Sequence, residues 1–464
     1  MDDGKHRSID FEAMHETELV FDDERFPRCG YMYFTLEGDV DVDAMARAVH
    51  LSTDVPLLNS LLKCEKRENR HLIYWEPRND PPPEMSVEDL RDRDNGLDVR
   101  EILARRFADD INRMIVLSQE PPVRTYLMRF DERLWALVFF THHVMMAAGR
   151  LVGVLGDVLS AYHAEVAGGP PDWSGQPRLL PRKRIPGAGG RTKRGSYIRG
   201  KSSETLRNRL APPARLEPDR KPDSGSKRTV ARLILSESQF SKPYSTVKSH
   251  GATMTDLLVA NSMLAIASWN RRFGHHARRI RVGVPVNLGP YFPEYEEAAN
   301  HTAAVSIETF PEDRRQEPWV LLEAAKAQRE QELLSGIFTK HPESVSKIVG
   351  MARRWPYERR AGILRRLMSQ RWSLVLYNLG IIYPEVADGR PTGDSYIKRA
   401  GDLEVADFDV NFSVLSHIGN GIVAYIFRRR LHLLFSALRG QFSAEEARVF
   451  LEMFVESLDK FGNG

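Results

Sequence analysis

The chain has 464 residues, more than a single hydrophobic core usually organises, so two or three domains are expected. Hydrophobic residues at 42% and charged residues at 28% are the proportions of a globular protein in water and exclude a disordered or fibrous chain. A net charge of only +3 argues against a protein devoted to phosphate backbones.

The opening MDDGKHRSIDFEAM has no apolar stretch of the roughly 7–15 residues that a secretory signal needs, and no run of about 18 apolar residues occurs anywhere. A cytoplasmic protein without a transmembrane segment is expected. Cys29 and Cys64, too far apart for a disulfide framework or a CxxC knuckle, read as buried free thiols, and no metal is expected.

In chain order, the apolar run Tyr31–Leu36 predicts a strand, and Asp41 and Asp43 lead into a helix through Val49. A strand follows over His71–Trp75. Val123–Phe130 and Leu134–Thr141 flank the polar Asp131-Glu132-Arg133 connection and predict a hairpin. From Gly149 the spacing becomes helical, with Leu151, Val154, Leu155, Val158, Leu159 and Tyr162 on one stripe, until Gly168-Gly169-Pro170-Pro171 ends the segment.

Residues 168–228 are crowded with Gly, Pro, Ser, Lys and Arg, with one short helix near Ser203–Leu210, and read as a linker or crossover. Between Arg182 and Arg228 fifteen Lys/Arg stand against four Asp/Glu, so this stretch holds a charge of +11 while the remainder is acidic. Such a stretch is either a solvated linker or a holder of phosphates or of an acidic partner face.

Order resumes with a strand over Thr229–Leu235, a helix over Thr255–Asn270 and a strand over Ile280–Val286. Helices are predicted near Pro318–Leu334 and Glu343–Met368, then strands near Trp372–Asn378, Phe408–Ser416, Gly421–Phe427 and Leu431–Ser436, the last three spaced like a meander. Ser443 and Glu446 form a capping-box pair at the start of a final helix over 444–460. Three regions result: an N-terminal lobe (1–167), the basic linker (168–228) and a C-terminal lobe (229–464).

Chemistry is concentrated where the hairpin's second arm ends, at Thr141-His142-His143-Val144. Strand alternation sends adjacent side chains to opposite faces, so one histidine can enter a cavity while the other faces the lobe interior. A His-His pair by itself is more often structural than catalytic, since ring nitrogens readily bond carbonyls at strand ends. A helix starting just beyond it can stabilise a developing negative charge, and a neutral imidazole can take a proton from a hydroxyl or amine. A second pair, His275 and His276, stands in a polar basic turn and reads as solvated.

The stretch HHVMMAAGRLVGVLGDVLSAYHA resembles, without gaps, the HHxxxDG segment and following helix of the chloramphenicol-acetyltransferase-like superfamily: peptide-synthetase condensation domains, wax ester synthases and polyketide-associated acyltransferases. Further likenesses keep the family's order. Gly251–Ala260 is similar to its threonine-led helix, Val284-Pro285-Val286-Asn287-Leu288 to its PVxLR strand end, Tyr377-Asn378-Leu379-Gly380 to its SN(V/L)G element, and Asp407–Ser413 to its late FD-containing strand. Together they cover roughly residues 30–460.

The resemblance implies an α/β (α+β) fold of two lobes, each a mixed, largely antiparallel sheet flanked by helices, with a tunnel between them. It implies acyl transfer from a CoA or carrier-protein thioester to an alcohol or amine, with His143 as general base and His142, Ala147 and Gly149 as motif positions of structural role. Asn378 and Ser413 are candidate oxyanion or substrate contacts. The expected co-substrate is acyl-CoA or a phosphopantetheine thioester, with no permanently bound cofactor. Expected partners are a small-molecule acceptor and an acyl or peptidyl carrier protein, with no nucleic acid, for a monomer.

Three positions depart from the family. HHxxxDG reads HHxxxAA, with Ala147 in the aspartate's place and Ala148 in the glycine's, and Gly289 stands where the PVxLR arginine falls. The family's aspartate and arginine are the two members of one ion pair, and losing both is tolerable where losing one is not. A docking platform without acyl transfer, or a cyclisation enzyme with a remodelled pocket, are the alternative readings.

Overall fold

The computed structural model describes residues 9–10, 16, 18–22, 27–53, 58–67, 70–91, 96–144, 148–169, 208, 210–218, 228–275, 279–287, 302–309, 317–335, 341–368, 372–382, 399–400, 402–411, 419–438 and 440–462. In chain order the strands of the first half are β1 (Ile9–Asp10), β2 (Cys29–Glu37), β3 (Ser60–Arg67), β4 (Arg70–Pro77), β5 (Ser86–Asp89), β6 (Val123–Arg129) and β7 (Leu134–His142). Those of the second half are β8 (Arg228–Leu235), β9 (Ile280–Asn287), β10 (Thr302–Thr309), β11 (Leu374–Ile382), β12 (Arg399–Ala400), β13 (Leu403–Asn411), β14 (Asn420–Phe427) and β15 (Arg430–Leu438). The helices are α1 (Val42–Thr53), α2 (Val99–Arg106), α3 (Ala148–Ala167), α4 (Glu237–Ser249), α5 (Met254–Arg272), α6 (Pro318–Ser335), α7 (His341–Ala352), α8 (Tyr357–Met368) and α9 (Ala444–Leu458).

Two six-stranded sheets organise the molecule, in the orders β12-β13-β2-β7-β6-β5 and β10-β9-β11-β14-β15-β8, with a small β1-β4-β3 sheet beside the first. Most neighbours are antiparallel; β5–β6, β9–β11 and β11–β14 are parallel. β2 and β7 lie inside the first sheet and are buried along almost their whole length, which suits their near-continuous apolar runs. The predicted hairpin is β6–β7, with Arg129 opposite Trp135 across the polar turn.

Helix starts follow side-chain capping. Thr253 and Asp256 form a reciprocal capping box at α5, and Ser443 and Glu446 form the expected one at α9. α5 and α9 cover one face of the second sheet, to which Leu374, Leu376, Ile422 and Ala424 point. The intervening residues Tyr377, Val423, Tyr425 and Phe427 join the core of the first lobe instead. Strand alternation thus makes the second sheet a wall shared by two cores.

Three expectations are corrected. The single helix over Glu343–Met368 is two, α7 and α8, interrupted before Tyr357 at Pro356, where a missing N–H and the ring's bulk oppose continuation. The late strands are not one meander: β14 and β15 pair in the second sheet, but β13 leaves it and pairs antiparallel with β2, Phe408 opposite Phe34. Residues within 229–464 therefore build both sheets. Strand Phe408–Ser416 runs over Leu403–Asn411, and Ser413 lies outside the described residues, as does most of the linker with its short helix. Among the described residues no helix is long and apolar enough to cross a membrane.

Candidate active site

The histidine pair sits where β7 ends beside the start of β2, with His142 opposite Cys29. The backbone continues the sheet: His142 N–H donates to Pro122 O at 2.9 Å and His143 N–H to Arg28 O at 2.7 Å. This pins both residues before the chain turns toward α3, whose first residues are Ala148 and Gly149; Ala147 lies outside the described residues.

His142 is fully buried. Its Nδ1 accepts the Val144 N–H at 3.1 Å, so the proton belongs on Nε2, which donates to Asp22 Oδ2 at 3.0 Å. The other oxygen of Asp22 accepts the Arg28 N–H at 2.7 Å. Both ring nitrogens of His142 are thus engaged within the protein.

His143 is the less buried member, with one-fifth of its side chain open. Its Nδ1 stands 3.7 Å from Glu18 Oε2, and that same oxygen accepts from Arg28 Nη2 at 2.5 Å. Burial, then the positive charge of Arg28, hold the imidazole down to about 4, against the upward pull of Glu18. The ring is therefore neutral at physiological pH, the form able to accept a proton.

The second lobe closes on this corner. Arg228 at the start of β8 donates to Cys29 O at 2.9 Å and Pro27 O at 2.5 Å. This last cation of the basic stretch is thus spent on holding β2. Burial lowers its guanidinium to about 10, still protonated at neutral pH. Tyr377 of β11 lies within the fields of Arg28 and Glu18, and burial pushes its phenol up to about 12, so it remains a proton-bearing donor.

Asn378 is half-buried and committed: Nδ2 donates to Thr255 Oγ1 at 3.0 Å and Oδ1 accepts the Gly380 N–H at 3.0 Å. A bulge interrupts β11 between Asn378 and Gly380, where the glycine takes a φ of +76° that other residues adopt at a cost. Of the second histidine pair, His275 is exposed near Glu217, and His276 lies outside the described residues, as does Gly289. Among the described residues no group of three His, Cys, Asp or Glu side chains is placed to hold a metal.

The FD-containing strand ties the lobes together. Asp409 receives Arg232 from β8 at 3.0 Å, the Tyr425 hydroxyl at 3.0 Å and the Tyr33 hydroxyl at 3.5 Å, while Asp407 pairs with Arg100 of α2. Sequence reasoning missed Glu18, Asp22 and Arg28, which reach the histidines through tertiary contact, and Arg228 and Tyr377, which lie close by. The one local signal is the group of acids at 16, 18 and 22, unusual in a stretch that also carries Leu19, Val20 and Phe21.

Comparison with solved structures names the class of fold: the chain is folded like the condensation domains of peptide synthetases. The first condensation domain of the calcium-dependent antibiotic synthetase, in complex with a substrate analogue, matches with a TM-score of 0.70 at 14% identity, covering 98% of this chain and 96% of that one. A mutant starter condensation domain of rhizomide synthetase RzmA, in complex with C8-CoA and Leu-SNAC, matches at 0.65 and 13% identity over 98% and 95%. The EpoB NRPS cyclization-docking bidomain from Sorangium cellulosum matches at 0.65 and 16% identity over 99% and 86%. No protein-family model and no curated protein matches the sequence.

Proposed function

We propose that this chain is an acyltransferase that moves an acyl group from a CoA or carrier-protein thioester to a small-molecule alcohol or amine, with His143 as general base. The observation that carries this reading is the division of labour in the pair: His142 is locked by two hydrogen bonds, while His143 is neutral and partly open. The complex of the rhizomide starter domain with C8-CoA supports a thioester donor.

In the proposed reaction Nε2 of His143 takes the proton of the acceptor O–H or N–H as that oxygen or nitrogen attacks the thioester carbonyl. The tetrahedral intermediate collapses with cleavage of the C–S bond, and the imidazolium returns the proton to the departing thiolate. The oxyanion needs donors at about 2.7–3.1 Å; Tyr377 and the amides at the start of α3 join Asn378 and Ser413 as candidates.

A second reading, cyclisation or docking, is favoured by one observation: the cyclization-docking bidomain is as similar in fold as the starter domain, each at a TM-score of 0.65. The deciding experiment offers acyl-CoA and acyl-carrier donors to pooled alcohols and amines, for the native protein and His143→Ala, with mass spectrometry of products. Product that disappears with the substitution is expected. No product overturns the proposal in favour of the second reading, and equal product from both proteins overturns the role of His143.

A further inference from the structure

One short N-terminal stretch carries three buried or half-buried carboxylates, two of which reach the histidine corner. Glu16 is fully buried against Arg360 of α8, Oε1 to Nε 2.5 Å, and its other oxygen lies 3.3 Å from Arg353 Nε. Beside it Val20 and Phe21 pack with Val349, Ala352, Ala361 and Leu364 into a small core of their own. These contacts moor the stretch to α7 and α8, and from that mooring it delivers one carboxylate to each histidine. Asp22 takes His142 Nε2–H, and Glu18 stands beside His143 Nδ1 with Arg28 fixing its place.

Neither carboxylate belongs to the HHxxxAA segment, which has none to give. We infer that Glu18 is the positioning residue of His143, held by Arg28 so that its charge faces the imidazolium formed when His143 removes the acceptor's proton. This rests on the acyl-transfer reading above. An opposite charge within about 4–6 Å favours the protonated ring, and Glu18 at 3.7 Å meets that condition. Arg28 alone would oppose protonation, so the pair's carboxylate is the half that assists.

Glu18→Gln keeps the shape and removes the charge. Hydrogen–deuterium exchange at Cε1 of His143 passes through the imidazolium, so its rate at about pH 8, read by mass spectrometry, reports proton affinity without any substrate. A slowing of about tenfold is expected, equivalent to one pH unit, with partial recovery in Glu18→Asp. For acyl transfer, kcat is expected to fall about tenfold with KM held within about twofold. Exchange within about twofold of native in a folded Glu18→Gln protein overturns the inference even where acyl transfer proceeds. Slowed exchange in a protein with no acyl transfer sustains the Glu18–His143 coupling and removes the acyl-transfer reading instead. Should the Gln variant not fold, Glu18→Asp decides: its carboxylate is drawn back by one methylene, so slowing of about threefold is expected, and a native rate overturns the inference.

Discussion

Asp409 on β13 and Arg232 on β8 meet between the two sheets, the carboxylate 3.0 Å from the guanidinium Nε. Only 3% of the Asp409 side chain is exposed, and the Tyr425 hydroxyl from the second sheet donates to it as well. Removing one partner of such a pair leaves a charge in a poorly solvated place, at about 3–5 kcal/mol. Asp409→Asn is expected to lower the denaturant midpoint by that equivalent, and Arg232→Met in the same background to recover part of it. A single variant within about 0.5 kcal/mol of native would show that the pair does not hold the lobes.

His143 titrates near 4, with Arg28 and His142 opposing protonation and Glu18 favouring it. A general base works only when neutral, so kcat/KM is expected to stay level from neutral pH down to about 5 and to fall below that with an apparent pKa near 4. A pH–rate profile on the substrate found in the panel checks this. An acid limb at the ordinary imidazole value of about 6.5 would place the base elsewhere.

His432 is also held down to about 4, by burial first and by Arg100 and Arg430, against Asp409, with its ring stacked on Tyr425 at 4.7 Å. Below an unfolded value of about 6.5 the unfolded chain binds a proton that the native ring refuses. The contribution to stability is thus complete above pH 6.5 and is lost as pH falls toward 4. Its slope is about 1.4 kcal/mol per pH unit for each such histidine, His143 included. Unfolding free energies measured between pH 7 and 4.5 are expected to decline less steeply in His432→Phe, by about one proton; an unchanged slope would mean that His432 protonates freely in the native state.

The two thiols should react very differently. Burial pushes Cys29 up to about 12, whereas Cys64, read from the sequence as buried, is exposed on β3. Since the thiolate is the nucleophile, a thiol reagent at neutral pH is expected to modify one cysteine in the native protein and two after unfolding. Rapid modification of Cys29 in the native state would contradict its placement beside His142.

Asn378 spends its carboxamide on Thr255 and on the bulge at Gly380. Asn378→Ala is expected to cost about 1–3 kcal/mol of stability in thermal or urea unfolding. A variant with native stability and sharply reduced kcat would instead favour Asn378 as an oxyanion donor.

Most of the strand and helix pattern was legible because period and capping are local: β6–β7, α5 and α9 each announce themselves within their own residues. The histidine pair was legible for the same reason, as strand alternation assigns the two rings different surroundings. β13 was not. Its sequence predicts a strand, yet nothing local says that it pairs with β2, more than 360 residues earlier, in place of its chain neighbour β14. Glu18 and Asp22 were hidden likewise, since a carboxylate 120 residues before His142 becomes its partner only through the fold.

The excursion of β13 has a consequence for anyone who recombines such proteins. A chimera cut in the linker would receive its first lobe from one parent and an inner strand of that lobe's sheet from the other. Asp407 would then need a foreign Arg100, and Phe408 a foreign Phe34. Exchanges that transplant residues 399–411 together with the N-terminal half preserve both matches, so the natural unit of inheritance for the first lobe is discontinuous in the gene.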